Sequence, residues 1–181
     1  IFGCKLPITT IALVRGDALG GGFEVALSCN VIIAEEGVGM GFPEIFFNIF
    51  PGMGGYHLLS QRLPQKQVER MILSGNKYPS EKLFDMGVVD ILVEKEKGPS
   101  AVYSYITECN KHRKGYLALK KVKEKVNEIS YQELLEVCTD WVEATMQVTE
   151  RDLKLMERMI RLQSRAVNSV KDELIKERNI A

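Results

Sequence analysis

Apolar and polar positions change their spacing along the chain, and this change predicts two kinds of structure. Up to about Val93, short apolar runs alternate with short helical patterns, and beyond it the spacing is helical throughout. Three of the apolar runs are rich in β-branched residues and bounded by turn residues, which is typical of buried strands. They are Ile8–Val14, Val31–Ala34 and Val88–Leu92.

Two helices are predicted between the second and third of these strands. Residues 65–74 and 80–86 have helical spacing, and each segment is followed by a glycine, Gly75 or Gly87. Glycine suits the left-handed backbone that commonly ends a helix. The first half of the chain therefore predicts an α/β region.

A charged segment marks the predicted domain boundary. Residues 94–97 are all charged, and Gly98 and Pro99 follow them as helix breakers. We therefore expect a core in residues 1–93, a linker in 94–100 and a helical domain in 101–181. In that helical part, Ser130 with Glu133 forms a capping-box pattern, and Thr149 with Asp152 is a near variant.

Composition excludes several function classes. The chain has 181 residues, of which 24 are basic and 24 acidic, so the basic surface expected of a nucleic-acid-binding protein is absent. No apolar run reaches the roughly 18 residues that a membrane span needs. Four cysteines lie far apart, without a Cys-x-x-Cys pair, which favours reduced thiols and a cytoplasmic location. They are Cys4, Cys29, Cys109 and Cys138.

Two glutamates in apolar, glycine-rich surroundings are the candidate catalytic groups. Glu24 follows Gly20–Gly22, and Glu44 precedes an aromatic segment, residues 45–50. Burial disfavours a charged carboxylate, so the pKa of Glu44 should rise toward the range useful for acid/base work. The glycines would let a carbonyl oxygen approach free N–H groups at a helix end, with Gly21 as the main donor. The alternatives are a plain tight turn and two ordinary surface glutamates.

These segments resemble a known family. Residues 18–27, 41–44 and 51–55 are similar to motifs of the crotonase superfamily, the enoyl-CoA hydratases and isomerases. Within this superfamily, the sequence most resembles the bacterial diffusible signal factor synthases. The resemblance covers nearly the whole chain. The segments that carry this closer resemblance are 16–18, 47–54, 73–75 and 86–90, and the likeness continues through 112–115 to the helices near 149–152.

The resemblance implies a crotonase-like α/β core and roles for named residues. Glu24 and Glu44 would be the paired acid/base carboxylates, and the N–H of Gly21 would bind the thioester oxygen. The second oxyanion donor would lie upstream of Ile1, and since Ile1 is not an initiator methionine, we expect a fragment that is inactive alone. Substrate contacts are expected at Gly20, Gly22, Phe50, Gly52, Met53, Trp141 and Met159.

A signal synthase would dehydrate a 3-hydroxyacyl thioester to a cis-2-enoyl chain and then hydrolyse the thioester. Its partners would be acyl carrier protein or acyl-CoA and a sensor protein, and relatives usually form trimers or pairs of trimers. A hydratase or isomerase of fatty-acid metabolism would use the same two carboxylates. A catalytically idle, regulatory crotonase-fold protein is a third alternative, although idle members commonly lose one carboxylate.

Other conspicuous residues have simpler interpretations. His57 and His112 lack partners at metal-ligand spacing, so we expect no metal, and no cofactor beyond the carrier of the thioester. The basic segment 111–114, continued by lysines up to Lys125, could contact an acidic carrier protein or form a solvated helix face. The C-terminal helices, with Trp141 and Met159, could be core, subunit contact or the cover of an acyl pocket.

Overall fold

Six short strands form two sheets in the described part of the protein. The structure is a computed structural model that describes residues 8–126 and 129–162. In the first sheet, β3 lies between β1 and β6, and both pairings are parallel. In the second, β4 pairs with β2 in parallel and with β5 antiparallel. The strands are β1 Ile11–Val14, β2 Ala18–Leu19, β3 Val31–Glu35, β4 Gly39–Gly41, β5 Lys77–Pro79 and β6 Ile91–Val93.

Helices separate these strands and make up the C-terminal part. The predicted helix over residues 65–74 is confirmed, and Gly75 ends it in the left-handed conformation with φ of 63°. The next predicted helix ends at Asp85 rather than Met86. The α-helices are α1 Gly21–Leu27, α2 Gly55–Ser60, α3 Gln65–Ser74, α4 Ser80–Asp85, α5 Gly98–Lys111, α6 Arg113–Val126, α7 Tyr131–Met146 and α8, residues 150–162; Pro43–Phe47 forms the 3-10 helix η1.

The hydrophobic core lies between β3 and the helices that follow β2 and β4. Every residue of β3 is buried, as expected for a central parallel strand covered on both faces. The rings of Phe23 in α1 and Phe42, just before η1, contact each other with centroids 4.9 Å apart. This contact packs the segments after β2 and β4 against one another.

The predicted strands at Ile8 and Val88 begin too early. Ile8 is 57% exposed, and β1 begins only at Ile11. Val88 and Val89 are buried, but both their N–H groups donate to the carbonyl of Leu83, at 2.8 and 3.1 Å. Their apolar character therefore serves core packing in a turn, and β6 forms only after it.

The two predicted caps are confirmed, and the expected helix breakers begin a helix. Ser130 and Glu133 form a reciprocal capping box at α7. The carboxylate of Asp152 accepts hydrogen bonds from the N–H and hydroxyl of Thr149. Gly98 opens α5 because its N–H donates to the buried carboxylate of Glu35 at 3.1 Å. The division into two domains at this point stays a prediction.

Two further observations concern cysteines and helix length. Cys29, Cys109 and Cys138 are free thiols in the structure. Within residues 8–126 and 129–162, no helix has the length and apolarity to cross a membrane.

Arg62 clamps the turn before β6 to the start of β3. Its guanidinium donates to the carbonyl of Val88 and to the carboxylate of Asp90, both at 2.9 Å. Asp90 in turn accepts the N–H of Ile32 at 2.7 Å. The Arg62 side chain is only 14% exposed whereas that of Asp90 is 38% exposed, so the hydrogen bond to Val88 is the better shielded from water.

Replacing Arg62 by Ala should therefore destabilise the fold. The change leaves the Val88 carbonyl and the Asp90 carboxylate without this donor, and we expect the free energy of unfolding to fall by about 1–3 kcal/mol. Urea denaturation of the full-length protein measures it. Lys111→Ala is the matched control, since its ion pair with Glu108 is exposed, and should cost less than about 1 kcal/mol. Equal effects of the two changes would contradict the clamp.

Candidate active site

The pairing of β2 with β4 brings the two glutamate-bearing segments to one edge. Leu19 is in register with Gly41, and the N–H of Gly20 donates to the carbonyl of Gly41 at 2.9 Å. Because the strands are parallel, the chain leaves both at the same end. Glu24 and Glu44 follow those ends by five and three residues.

Glu24 is a buried carboxylate held by two backbone N–H groups. Its neighbours Phe23 and Leu27 face the core, so helical spacing places Glu24 on the edge of the same face, and it is only 3% exposed. Its Oε1 accepts the N–H of Met53 at 2.8 Å and that of Gly55 at 2.9 Å. Burial raises the pKa of Glu24, while these two hydrogen bonds oppose the rise.

Glu44 lies against Gly20 and has fewer partners. A Cβ atom at Gly20 would lie 2.6 Å from Oε1 of Glu44, so the carboxylate rests directly on the glycine backbone. Its Oε2 is buried and accepts no hydrogen bond from any residue the structure describes. Burial raises the pKa of Glu44 to about 7; its own N–H lowers the pKa somewhat, and the charge of Glu24 adds to the rise.

The two carboxylates thus share one glycine-lined site. Gly20, with φ of 56°, separates β2 from α1 beneath Glu44, and a Cβ at Gly55 would lie 3.0 Å from Oε1 of Glu24. Any larger residue at either position would displace a carboxylate. The charge of Glu24 contributes to the raised pKa of Glu44, so Glu44 can hold a proton near neutral pH while Glu24 is ionised.

Gly21 and Met53 lie beside this pair. Gly21 is the first residue of α1, where no carbonyl of the helix accepts its N–H. A Cβ at Gly21 would lie 2.9 Å from Cε of Met53, so the methionine side chain covers this position. Met53 is 49% exposed, which leaves its flexible thioether free to rearrange around a ligand.

Helix α7 packs on the loop that holds Glu24. A Cβ at Gly52 would collide with the indole of Trp141, and one at Gly54 would lie 2.9 Å from Cδ2 of Leu134. The thiol of Cys138 donates to the carbonyl of Gly52 at 3.4 Å. One face of α7 therefore lies directly over residues 52–54, and this contact places Trp141 against Gly52, the residue before Met53.

The remaining predicted residues differ in their exposure to solvent. Gly22 is exposed in the first turn of α1, and Phe50 is half-buried in the loop before Pro51. Met159 is half-buried in α8, and its predicted substrate contact stays a prediction. Nδ1 of the half-buried His57 has no hydrogen-bond partner among the described residues, and His112 is exposed.

Sequence reasoning missed the contribution of Gly55. Its N–H fixes Glu24, and its lack of a side chain makes room for that carboxylate. The available signal was the pair Gly54 and Gly55 directly after an aromatic, proline-containing segment, where two adjacent glycines indicate close approach of another group.

A family model supplies independent support for this geometry. The model described as enoyl-CoA hydratase/isomerase matches residues 2–157. The chain belongs to the enoyl-CoA hydratase/isomerase family. The expected crotonase-like core is thereby confirmed, together with the α/β architecture described above.

Curated family members show moderate sequence identity. The chain is 34% identical over 123 residues to the "Probable enoyl-CoA hydratase 2, mitochondrial" of Arabidopsis thaliana, which covers 68% of this chain and 40% of that protein. It is 39% identical over 87 residues to an enoyl-CoA isomerase/hydratase of Mycosarcoma maydis, covering 48% of this chain and 32% of that protein. The chain thus spans less than half the length of these two relatives.

Solved family structures share the fold at lower identity. Carnitinyl-CoA hydratase of Mycobacterium avium aligns with a TM-score of 0.70 and 23% identity, covering 82% of this chain and 58% of that one. An enoyl-CoA hydratase of Mycobacterium tuberculosis H37Rv aligns with a TM-score of 0.64 and 22% identity, covering 86% and 62%. These alignments support the fold alone.

The raised pKa of Glu44 predicts a stability gain on its neutralisation. The folded-state pKa of about 7 exceeds the ordinary 4.5, so folded protein binds the proton more tightly and loses stability as pH rises between these values. Glu44→Gln in the full-length protein should raise the free energy of unfolding at pH 8 by about 1–3 kcal/mol. Chemical denaturation at pH 8 and pH 4.5 measures this, and the gain should shrink at the lower pH. A mutant less stable than wild type at pH 8 would refute the burial argument.

Proposed function

We propose that this family member adds water to, or removes water from, an acyl-CoA thioester, with Glu24 and Glu44 as its acid and base. The observation that carries the proposal is the pair of buried carboxylates on a glycine-lined site, one held by two N–H groups and the other with an unpartnered oxygen. Relatives named as enoyl-CoA hydratases and isomerases support the class of reaction.

In this reaction one carboxylate of the pair accepts a proton and the other donates one. In hydration, the ionised glutamate takes a proton from water as the hydroxyl oxygen bonds to C3 of the enoyl thioester. The C2–C3 π electrons move toward the carbonyl, forming an enolate, and the protonated glutamate delivers its proton to C2. Dehydration follows the same steps in reverse. Burial raises the pKa of Glu44 to about 7, whereas two N–H groups favour the ionised form of Glu24, so in hydration Glu44 is the acid and Glu24 the base.

The enolate oxygen needs a hydrogen-bond donor near the pair. Gly21 offers an N–H without an acceptor in its own helix, one turn before Glu24 and beside Met53. A donor of this kind stabilises a developing oxyanion by roughly 2.7–4 kcal/mol. The lack of a side chain at Gly20 and Gly21 allows the thioester to approach this backbone.

Converting either carboxylate to an amide should abolish most activity. Glu24→Gln and Glu44→Gln should each lower kcat for crotonyl-CoA hydration by at least about a hundredfold in the full-length protein. Wild-type kcat/KM should fall as pH rises above about 7, because Glu44 then loses the proton that it delivers to C2. Steady-state absorbance assays across pH measure both effects.

Glu36→Gln, which changes an exposed glutamate, is the matched control and should leave kcat within about twofold of wild type. Near-normal turnover in Glu24→Gln or Glu44→Gln would remove that residue from the mechanism. Near-normal turnover in both would remove the proposed function.

A diffusible-signal synthase is the second candidate. It is favoured by the motif resemblance and by one structural observation, the packing of Trp141 and Met53 on the glycines around the carboxylates. Bulky apolar groups there suit an acyl chain better than a small polar substrate. This candidate would act on 3-hydroxyacyl carrier protein and would also hydrolyse the thioester at the same oxyanion site.

Parallel assays of two substrates distinguish the candidates. Full-length protein is given crotonyl-CoA and, separately, a 3-hydroxyacyl carrier protein, with products identified by mass spectrometry. We expect fast hydration of the first, with the thioester intact, because hydration needs only the carboxylate pair and an oxyanion donor, whereas thioester hydrolysis is a further reaction. Release of free cis-2-enoic acid from the second would establish the synthase instead. The Glu44→Gln protein, which should be inactive in both assays, controls for spontaneous thioester hydrolysis.

A further inference from the structure

Asn48 ends the 3-10 helix that carries Glu44, in a conformation where glycine is usual. Its φ and ψ are 58° and 28°, in the left-handed region, and Ile49 N–H closes the turn onto the carbonyl of Glu44 at 3.3 Å. Of the six other described residues with positive φ, five are glycines and one is Glu96. Asparagine tolerates this conformation better than most residues, and unlike glycine it carries a side chain that can form a hydrogen bond.

That side chain donates to a residue 104 positions away. Nδ2 of Asn48 lies 3.1 Å from Oδ1 of Asp152, in the first turn of α8. Oδ2 of Asp152 accepts both the N–H and the hydroxyl of Thr149, at 3.0 and 2.7 Å. Oδ2 of Asp152 therefore caps α8, and Oδ1 accepts the hydrogen bond from Asn48. The Asp152 residue is only 7% exposed.

The position of Glu44 depends on this turn. Its carboxylate interacts with its own N–H, and its buried Oε2 has no partner among the described residues. Glu24, by contrast, is fixed by N–H groups of another loop. A shift of the η1 backbone would therefore move Glu44 relative to Gly20 and Glu24, and nothing in its own hydrogen bonds would hold it back.

We propose that Asn48 and Asp152 are a positioning pair that ties the turn carrying Glu44 to helix α8. The proposal rests on the function proposed above, because the pair acts only through Glu44. A cleft of about 390 Å³ borders the pair, with Asp140 and Glu143 of α7 on its wall. The pair thus lies where η1, α7 and α8 meet, and it couples the C-terminal helices to the acid/base step.

Exchanging the two side chains gives a direct test. In Asn48→Asp, two carboxylates oppose each other, and we expect kcat for crotonyl-CoA hydration to fall about tenfold with little change in KM. The fall of kcat/KM near pH 7 (the pH limb) should also move to another pH, because Glu44 would be displaced from Gly20 and Glu24. Asn48→Asp combined with Asp152→Asn restores one N–H···O bond in the opposite direction. It should return kcat to within about twofold of wild type and restore the limb.

Controls separate positioning from simple stability and from the reaction itself. Glu143→Gln removes a charge from the same cleft without breaking the pair, and should leave kcat and the pH limb unchanged. Melting temperatures are measured for every variant. If Asn48→Asp lowers only the melting temperature, or if the exchanged double variant fails to recover, the positioning role is overturned. Normal turnover in Glu44→Gln would remove Glu44 from the mechanism, and the positioning role with it, whereas normal turnover in both Glu24→Gln and Glu44→Gln would overturn the proposed function.

Discussion

The parallel pairing of β2 with β4 is the constraint on which the rest of the site depends. Two residue pairs and one hydrogen bond from Gly20 to Gly41 align the ends of these strands. Without this register, α1 and η1 would not begin side by side, and their carboxylates would not meet. The contact of Phe23 with Phe42 then fixes the same two segments through the core. A pairing of only a few residues can do this because buried rings reinforce it.

Once the segments are adjacent, backbone hydrogen bonding makes the two glutamates unlike. Both lose hydration on burial, which raises both pKa values. Hydrogen bonds from the N–H groups of Met53 and Gly55 replace part of the lost hydration of Glu24, whereas Glu44 lies against the backbone of Gly20. The same residue type therefore acquires two environments, and the difference comes entirely from which loop donates to it. Environments that separate two carboxylates in this way allow one to hold a proton while the other is ionised.

Local sequence patterns correctly predicted the features that depend on interactions between residues close together in the chain. The helix Gln65–Ser74, its terminal Gly75 and the Ser130 capping box each depend on residues within a few positions of one another, and all three are confirmed. Val88 misled the strand prediction, because periodicity reports burial and not whether a buried segment is a strand or a turn. The strands β2 and β4 have two and three residues, too few for any period to be visible. Glu24 and Glu44 became candidates through their glycine-rich, apolar surroundings, and the family resemblance then implied that they act as a pair.

Some features of the site could not be predicted from the sequence because they depend on contacts between segments that are far apart in the chain. Gly55 matters because Glu24 lies against it, and Gly52 because the indole of Trp141 does. The adjacent glycines at 54 and 55 indicate a close approach, and Gly52 belongs to the same motif, but the group that approaches each glycine becomes visible only in the fold. The same holds for Asn48, whose partner Asp152 looks in sequence like a simple helix cap. The helices after residue 100 thus contact the loops around both carboxylates, and the chemistry of the first half depends on packing supplied by the second.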